Sequence, residues 1–276
     1  VQDAVFHYNL GKDAEEVKIE ILDPSGEIIQ TFISEEPKPE EEKKPEDPEV
    51  IKGDETTVVK EVVKEEPKET ANGYTPPKPP TSKKGLNTYK WDLRYPGSTV
   101  FDGMILWSAR PERGPLAKPG IYQVRVNANG KTETKPFEIK LDPRLENISE
   151  ADIKEQFDLG MKIREKVSEA NEAVIKIREY KEQMGDDINP EVLKKLKTVE
   201  EAIYQVKNES SQDPLNFPIR LNNKIASLGL IVDSGEARPT DGAYLVFEEL
   251  SEELSVLINE MEAVFLNAEK ANPMKK

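Results

Sequence analysis

The chain has 276 residues, 54 acidic and 39 basic side chains, a formal net charge of −15, no cysteine and one histidine, His7. This composition excludes a disulfide framework, a thiol nucleophile, cysteine-ligated metal centres and multi-histidine metal sites, and leaves Ser-His-Asp catalysis a single candidate base. The length suggests two domains or one with long extras, and the acidity argues against non-specific nucleic-acid binding, which needs clustered Lys and Arg.

In chain order, the sequence opens Val1-Gln2-Asp3-Ala4 without an initiator Met, a basic n-region or an apolar h-region. That start is expected of a processed chain or a piece of a longer one, and no targeting signal is visible. Val5 to Leu10 reads as a first strand, and His7 within it has no paired nucleophile, so it is expected to be structural or exposed rather than catalytic. Val17, Ile19 and Ile21 then alternate with Lys18 and Glu20, Asp23-Pro24-Ser25-Gly26 supplies a turn, and a strand follows to Phe32.

Residues 35–80 break this pattern. They hold 9 of the 21 prolines, and 35–69 carry 14 acidic against 7 basic side chains. Such a composition buries too little apolar surface to offset chain entropy, so a disordered, solvated spacer is expected, with a weak strand at 57–59 or 62–63; an acidic recognition tail is the alternative. Alternation returns at Tyr89, Trp91 and Leu93 and again at Tyr122, Val124 and Val126; Asn129-Gly130 makes a hairpin turn, and Phe137, Ile139 and Leu141 close the set. Short strands with turn signals predict an antiparallel, immunoglobulin-like β-sandwich over 1–146, with Trp91 in its core and the insertion lying between two of its strands.

From Ser149 the apolar period becomes 3.6. Ile153, Phe157, Met161, Val167, Ala170, Val174 and Ile177 predict a helix to Met184, opened by the acidic capping box Ser149-Glu150-Ala151-Asp152 and stopped at Gly185. Asn189-Pro190 starts a second helix through Val206, a third is expected from Pro218 to Leu230, and a fourth runs from Thr240 past Phe265. Four amphipathic helices with short connections predict an antiparallel four-helix bundle over 147–276, so the fold class is α+β. No apolar run approaches the ~20 residues of a membrane-spanning helix.

Two stretches are candidates for binding. Residues 94–119 form a connection of about 25 residues, long for a compact domain. It carries Arg94, Tyr95, Trp107, Arg110 and Arg113 in the one clearly basic region, 82–146, which has 12 basic and 7 acidic side chains. Aromatic residues and Arg are common interface anchors, so these five are assigned to partner docking; the competing reading packs Leu106 and Trp107 over an open end of the sandwich. Around Asp213-Pro214-Leu215-Asn216-Phe217-Pro218, the two prolines predict a bent lead-in. Asp213, Asn216, Arg220 and Asn223 form either a polar pocket or the hydrogen-bond partners of that bent backbone. The adjacent carboxylates Asp186-Asp187 and Glu252-Glu253 do not face a common substrate and are assigned to solvated surface.

These motifs carry a resemblance. Gly85-Leu86-Asn87-Thr88-Tyr89-Lys90-Trp91-Asp92-Leu93-Arg94, with Gly114-Pro115-Leu116-Ala117-Lys118-Pro119-Gly120-Ile121-Tyr122, resembles the C-terminal region of bacterial sortilin-like, BNR-repeat β-propeller proteins, often labelled glycosyl hydrolases. Its Trp-Asp and Pro-Gly-x-Tyr elements also look like the immunoglobulin-like domain of the flagellar hook-capping protein. The likeness continues through Gln156-Phe157-Asp158-Leu159, Glu169-Ala170-Asn171-Glu172-Ala173-Val174 and Asp213-Pro214-Leu215-Asn216-Phe217-Pro218-Ile219-Arg220-Leu221-Asn222-Asn223-Lys224. No Asp-box of the Ser-x-Asp-x-Gly-x-Thr-Trp type occurs, so the resemblance implies the non-propeller tail, with any active site of the parent upstream. It implies an exported protein, periplasmic, outer-membrane-associated or extracellular, and a non-enzymatic module without cofactor or metal. The expected partner is the propeller or another cell-surface protein. A carbohydrate-contacting tail using Trp107 and Tyr95, or a subunit of an outer-membrane assembly, are the alternatives.

Overall fold

In the computed structural model, which describes residues 3–35 and 74–271, a β-rich first half precedes four helices. Strand β1 (Ala4–Leu10) pairs antiparallel with β4 (Gly85–Trp91), Ala4 opposite Trp91 and Leu10 opposite Gly85. A second antiparallel sheet has the order β3 (Ile28–Ile33), β2 (Val17–Leu22), β7 (Gly120–Ala128), β8 (Lys131–Ile139). The β7–β8 hairpin closes on Asn129-Gly130, both at positive φ, the left-handed conformation that Asn and Gly tolerate best in a tight two-residue turn. The two sheets share one core: Val17, Ile19, Ile21, Phe32, Tyr122 and Val124 of the larger sheet meet Tyr89 and Trp91 of the smaller. Trp91 is 1% exposed, and its indole N–H donates to the Arg94 carbonyl at 3.0 Å, so the largest apolar surface in the β region is buried with its polar atom satisfied.

The predicted insertion 35–80 falls between β3 and β4, which contribute to the same core. Residues 36–73, with the weak strand expected at 57–59 or 62–63, lie outside the described residues. Its last residues, 74–80, are described without regular structure, with Tyr74 half-buried and Pro80 buried.

Helix α1 (Glu150–Met184) starts as its sequence dictates. The Ser149 hydroxyl accepts from Asp152 N while the Asp152 carboxylate accepts from Ser149 N. Asn189 caps α2 (Pro190–Ile203) by accepting from Glu191 N at 2.8 Å, with Pro190 supplying the preset φ of a first helical residue. This helix stops before the predicted Val206, because Tyr204 turns extended and carries its ring away. Helix α3 (Leu221–Val232) begins after the predicted Pro218. Asp213–Leu215 makes a single 3-10 turn, Gln205 Nε2 holds the Pro218 carbonyl at 2.9 Å, and regular bonding starts with Lys224 N donating to Arg220 O at 3.0 Å. Helix α4 (Asp241–Ala271) is opened by Thr240, whose hydroxyl accepts from Ala243 N at 3.2 Å. All four helices contribute to one buried cluster, centred on Ile163, Val174, Ile177, Leu196, Ile225 and Leu254.

Candidate functional site

The connection 94–119 is a built element rather than an open loop. Its ends pair as β5 (Arg94–Pro96) and β6 (Arg113–Leu116), Arg94 opposite Leu116. The strands cross so closely that a Cβ on Gly97 would lie 2.2 Å from the Glu112 backbone. Ser98 N donates to Pro111 O at 2.7 Å and fixes the crossing. Between the strands, 97–112 leaves the sheets and enters the helical layer, where Phe101, Met104, Leu106 and Ala109 join the helical cluster.

An excursion without regular structure must place its backbone polar groups elsewhere. Here three residues are gripped at both their N–H and their C=O by helical-layer side chains. Thr99 N donates to Ser168 Oγ (3.0 Å) and its carbonyl accepts from Asn171 Nδ2 (2.7 Å). Ile105 N donates to the Tyr204 hydroxyl (3.1 Å) and its carbonyl accepts from Asn208 Nδ2 (3.3 Å). Trp107 N donates to Asn223 Oδ1 (2.6 Å), and Asn223 Nδ2 returns a bond to the Trp107 carbonyl (3.0 Å) and another to Ser227 Oγ (3.2 Å). Buried Asn222 donates to Asn171 Oδ1 at 3.0 Å, so the first grip is itself held from α3. The β region and the helices are therefore joined by packing and directed bonds, and Gly160 of α1 leaves room for the Pro115 ring of β6.

Beside this junction lies a cleft of about 1400 Å³, lined from the β side by Leu93 and Pro115 and from the helices by Phe157 and Ile163. Of the residues predicted to dock a partner, Arg94, Trp107, Arg110 and Arg113 line it. Their states differ. Arg94 is 11% exposed, pairs with Asp233 at 2.8 Å and donates to Gly114 O at 2.8 Å. Arg110 and Arg113 are exposed, and their guanidinium groups have no hydrogen bond or ion pair among the described residues. Trp107 is 38% exposed, its backbone held while its ring faces outward. Tyr95 is turned into the junction, edge-on to Phe157 at 4.9 Å between ring centres, and burial pushes its phenol pKa up. Leu106, predicted to cover the sandwich end, packs with the helices instead.

The second candidate group does not converge. Asp213 is a turn cap, its carboxylate accepting from Glu209 N and Ser210 N at 2.7 Å each; these bonds hold its pKa below the usual carboxylate range. Asn216 is exposed, Arg220 precedes α3, and Asn223 alone reaches the cleft region, through Trp107. His7 sits on the exposed side of β1, 3.0 Å from Thr88 Oγ1. Asp186, Asp187, Glu252 and Glu253 are exposed. Sequence reasoning missed Glu200, buried on α2, which accepts from Arg178 Nε (2.8 Å) and Lys181 Nζ (2.5 Å). It also missed the structural use of Asn171 and Asn222, although asparagine in the interior of a long helix, as at Asn171, has poor propensity and is a signal of such use; Asn223, expected either in a pocket or on the bent lead-in, bonds the Trp107 backbone instead.

Among the described residues no three carboxylate or imidazole groups converge in a way that could hold a metal ion, and no helix is long and apolar enough to cross a membrane. Comparison with known proteins returns no matching family model, no matching curated protein and no matching solved structure.

Proposed function

We propose that the chain is a non-catalytic interaction module of an exported, cell-surface bacterial protein. In this reading an immunoglobulin-like sandwich and a four-helix bundle are locked together by residues 94–119, and the locked unit supports or docks a sortilin-like, BNR-repeat propeller. The observation that carries the reading is the state of the cleft rim. Trp107 is exposed on a backbone fixed by Asn223, beside two arginines without partners among the described residues. A rigid aromatic next to unpaired guanidinium groups is the usual make-up of an interface hot spot, and a fixed backbone lowers the ordering cost of binding. Of the two aromatic platforms a carbohydrate-contacting role would use, Trp107 is exposed while Tyr95 is committed to Phe157.

The test is calorimetric titration of the full chain with the propeller encoded in the same reading frame. Binding at about micromolar Kd, weakened at least tenfold by Trp107→Ala with Arg110→Ala at unchanged melting temperature, is the expected result. No binding, or no propeller in that reading frame, overturns it.

A further inference from the structure

The rim also carries the chemistry of what it would hold, and this deepens the docking reading on which it rests. Arg110 and Arg113 occupy the two ends of one turn, closed by Arg113 N donating to Arg110 O at 3.0 Å. A turn of this kind brings its end Cα atoms within about 7 Å. The turn is clamped from below by the Ser98–Pro111 bond and by the close crossing at Gly97. Two exposed arginines that line the same cleft are thus carried on one turn whose backbone does not have to order on binding. Each presents a planar donor pair that matches a carboxylate. The other cations nearby are occupied: Arg94 by Asp233, Arg144 by Asp142 and Lys140 by Glu138.

Two residues before Arg110, Ser108 takes φ 49°, left-handed backbone that a non-glycine residue adopts rarely. That conformation sits directly after Trp107, whose two backbone groups Asn223 holds, so the indole is aimed by a strained residue and a buried amide together. The cleft behind has apolar walls from Leu93, Pro115, Phe157 and Ile163.

We propose that this cleft binds an extended acidic polypeptide segment, its carboxylates on Arg110 and Arg113 and one of its apolar side chains on Trp107. A polypeptide is favoured over an acidic glycan for two reasons. Trp107 is the one aromatic ring exposed beside the two arginines, rather than one of a row of platforms, and the one side-chain amide lining the cleft, Gln156, is already committed to the Val232 and Gly235 carbonyls.

The chain has two tryptophans, and Trp91 is buried, so emission changes on binding report Trp107. The experiment titrates the full chain with a synthetic peptide of repeating Glu-Glu-Phe-Gly, with the same peptide carrying Gln for Glu, and with oligogalacturonate. The acidic peptide is expected to shift Trp107 emission and to bind about tenfold or more tighter than its Gln counterpart, an advantage that shrinks with added salt. Arg110→Gln with Arg113→Gln should remove that advantage without moving the melting temperature, and Arg144→Gln should leave it intact. Equal binding of the Glu and Gln peptides, no binding of either, or binding of oligogalacturonate alone overturns the proposal. If the acidic peptide fails while Trp107→Ala with Arg110→Ala still abolishes propeller binding, the docking reading stands and only the acidic-segment chemistry falls. If the peptide binds and the propeller does not, the reverse holds.

Discussion

Replacing Asn223 with Leu probes the grip that positions the rim. Asn223 is 3% exposed and makes three bonds: it accepts from Trp107 N and donates to Trp107 O and Ser227 Oγ. Leucine is close in size, so the cavity effect is small and the polar loss dominates. Each lost bond is worth about 1 kcal/mol net, and the half-buried N–H and C=O of Trp107 are left without partners, for a total of about 3 kcal/mol. Urea unfolding followed by circular dichroism measures that loss. Iodide quenching measures its local consequence: Trp107, 38% exposed, should become more accessible, while Trp91 at 1% stays shielded. Ser227→Ala removes only the 3.2 Å bond and should cost about 1 kcal/mol or less with quenching unchanged. A loss below about 1 kcal/mol for Asn223→Leu, with quenching as in the wild type, would refute the claim that Asn223 fixes the exposed tryptophan.

Gly97→Ala places a Cβ 2.2 Å from the Glu112 backbone, which cannot yield as a side chain would. It should cost about 3 kcal/mol or more in urea unfolding and abolish acidic-peptide binding. Glu200→Gln leaves Arg178 and Lys181 facing a neutral amide; because these partners are 38% and 26% exposed, a loss of about 1–2 kcal/mol is expected rather than the full cost of breaking a buried pair. Glu20, buried on β2, has its pKa lowered from 4.5, first by the hydrogen bond from Lys18 and also by that from Arg125, against the desolvation that raises it. Its folded value lies below its unfolded one, so its contribution is present above pH 4.5 and is lost as pH falls through the lowered value. Stability curves of wild type and Glu20→Gln should therefore converge below pH 4.5, and parallel curves throughout would contradict this.

What the sequence made legible was local. The capping box at Ser149, the Asn189-Pro190 helix start, the Asn129-Gly130 hairpin and the burial of Trp91 each depend on neighbouring residues or on a strict period, and each is found in place. The ends of α2 and α3 were not legible, because tertiary bonds set them: Tyr204 leaves its helix to serve Ile105, and Gln205 takes the Pro218 carbonyl. The connection 94–119 hid its structure for the same reason. Pro96 and Pro115 sit in its two short strands, and Met104-Ile105-Leu106 has no period that separates core from surface. Its backbone partners are distant in sequence, Asn171 72 residues from Thr99 and Asn223 116 residues from Trp107. Four of the five docking candidates nevertheless border one cleft. Composition could not show that Arg94 and Tyr95 are spent on internal contacts while Arg110 and Arg113 have no hydrogen bond or ion pair among the described residues.

A preformed cleft requires the β region and the helices to behave as one cooperative unit, joined through residues 94–119. Urea unfolding of Trp107→Phe tests this directly, because emission then reports only Trp91 in the β core while far-ultraviolet circular dichroism reports mainly the helices. Coincident transitions by the two probes are predicted. Helices and Trp91 unfolding at separate urea concentrations would contradict the junction, and with it the rigid display of Trp107, Arg110 and Arg113.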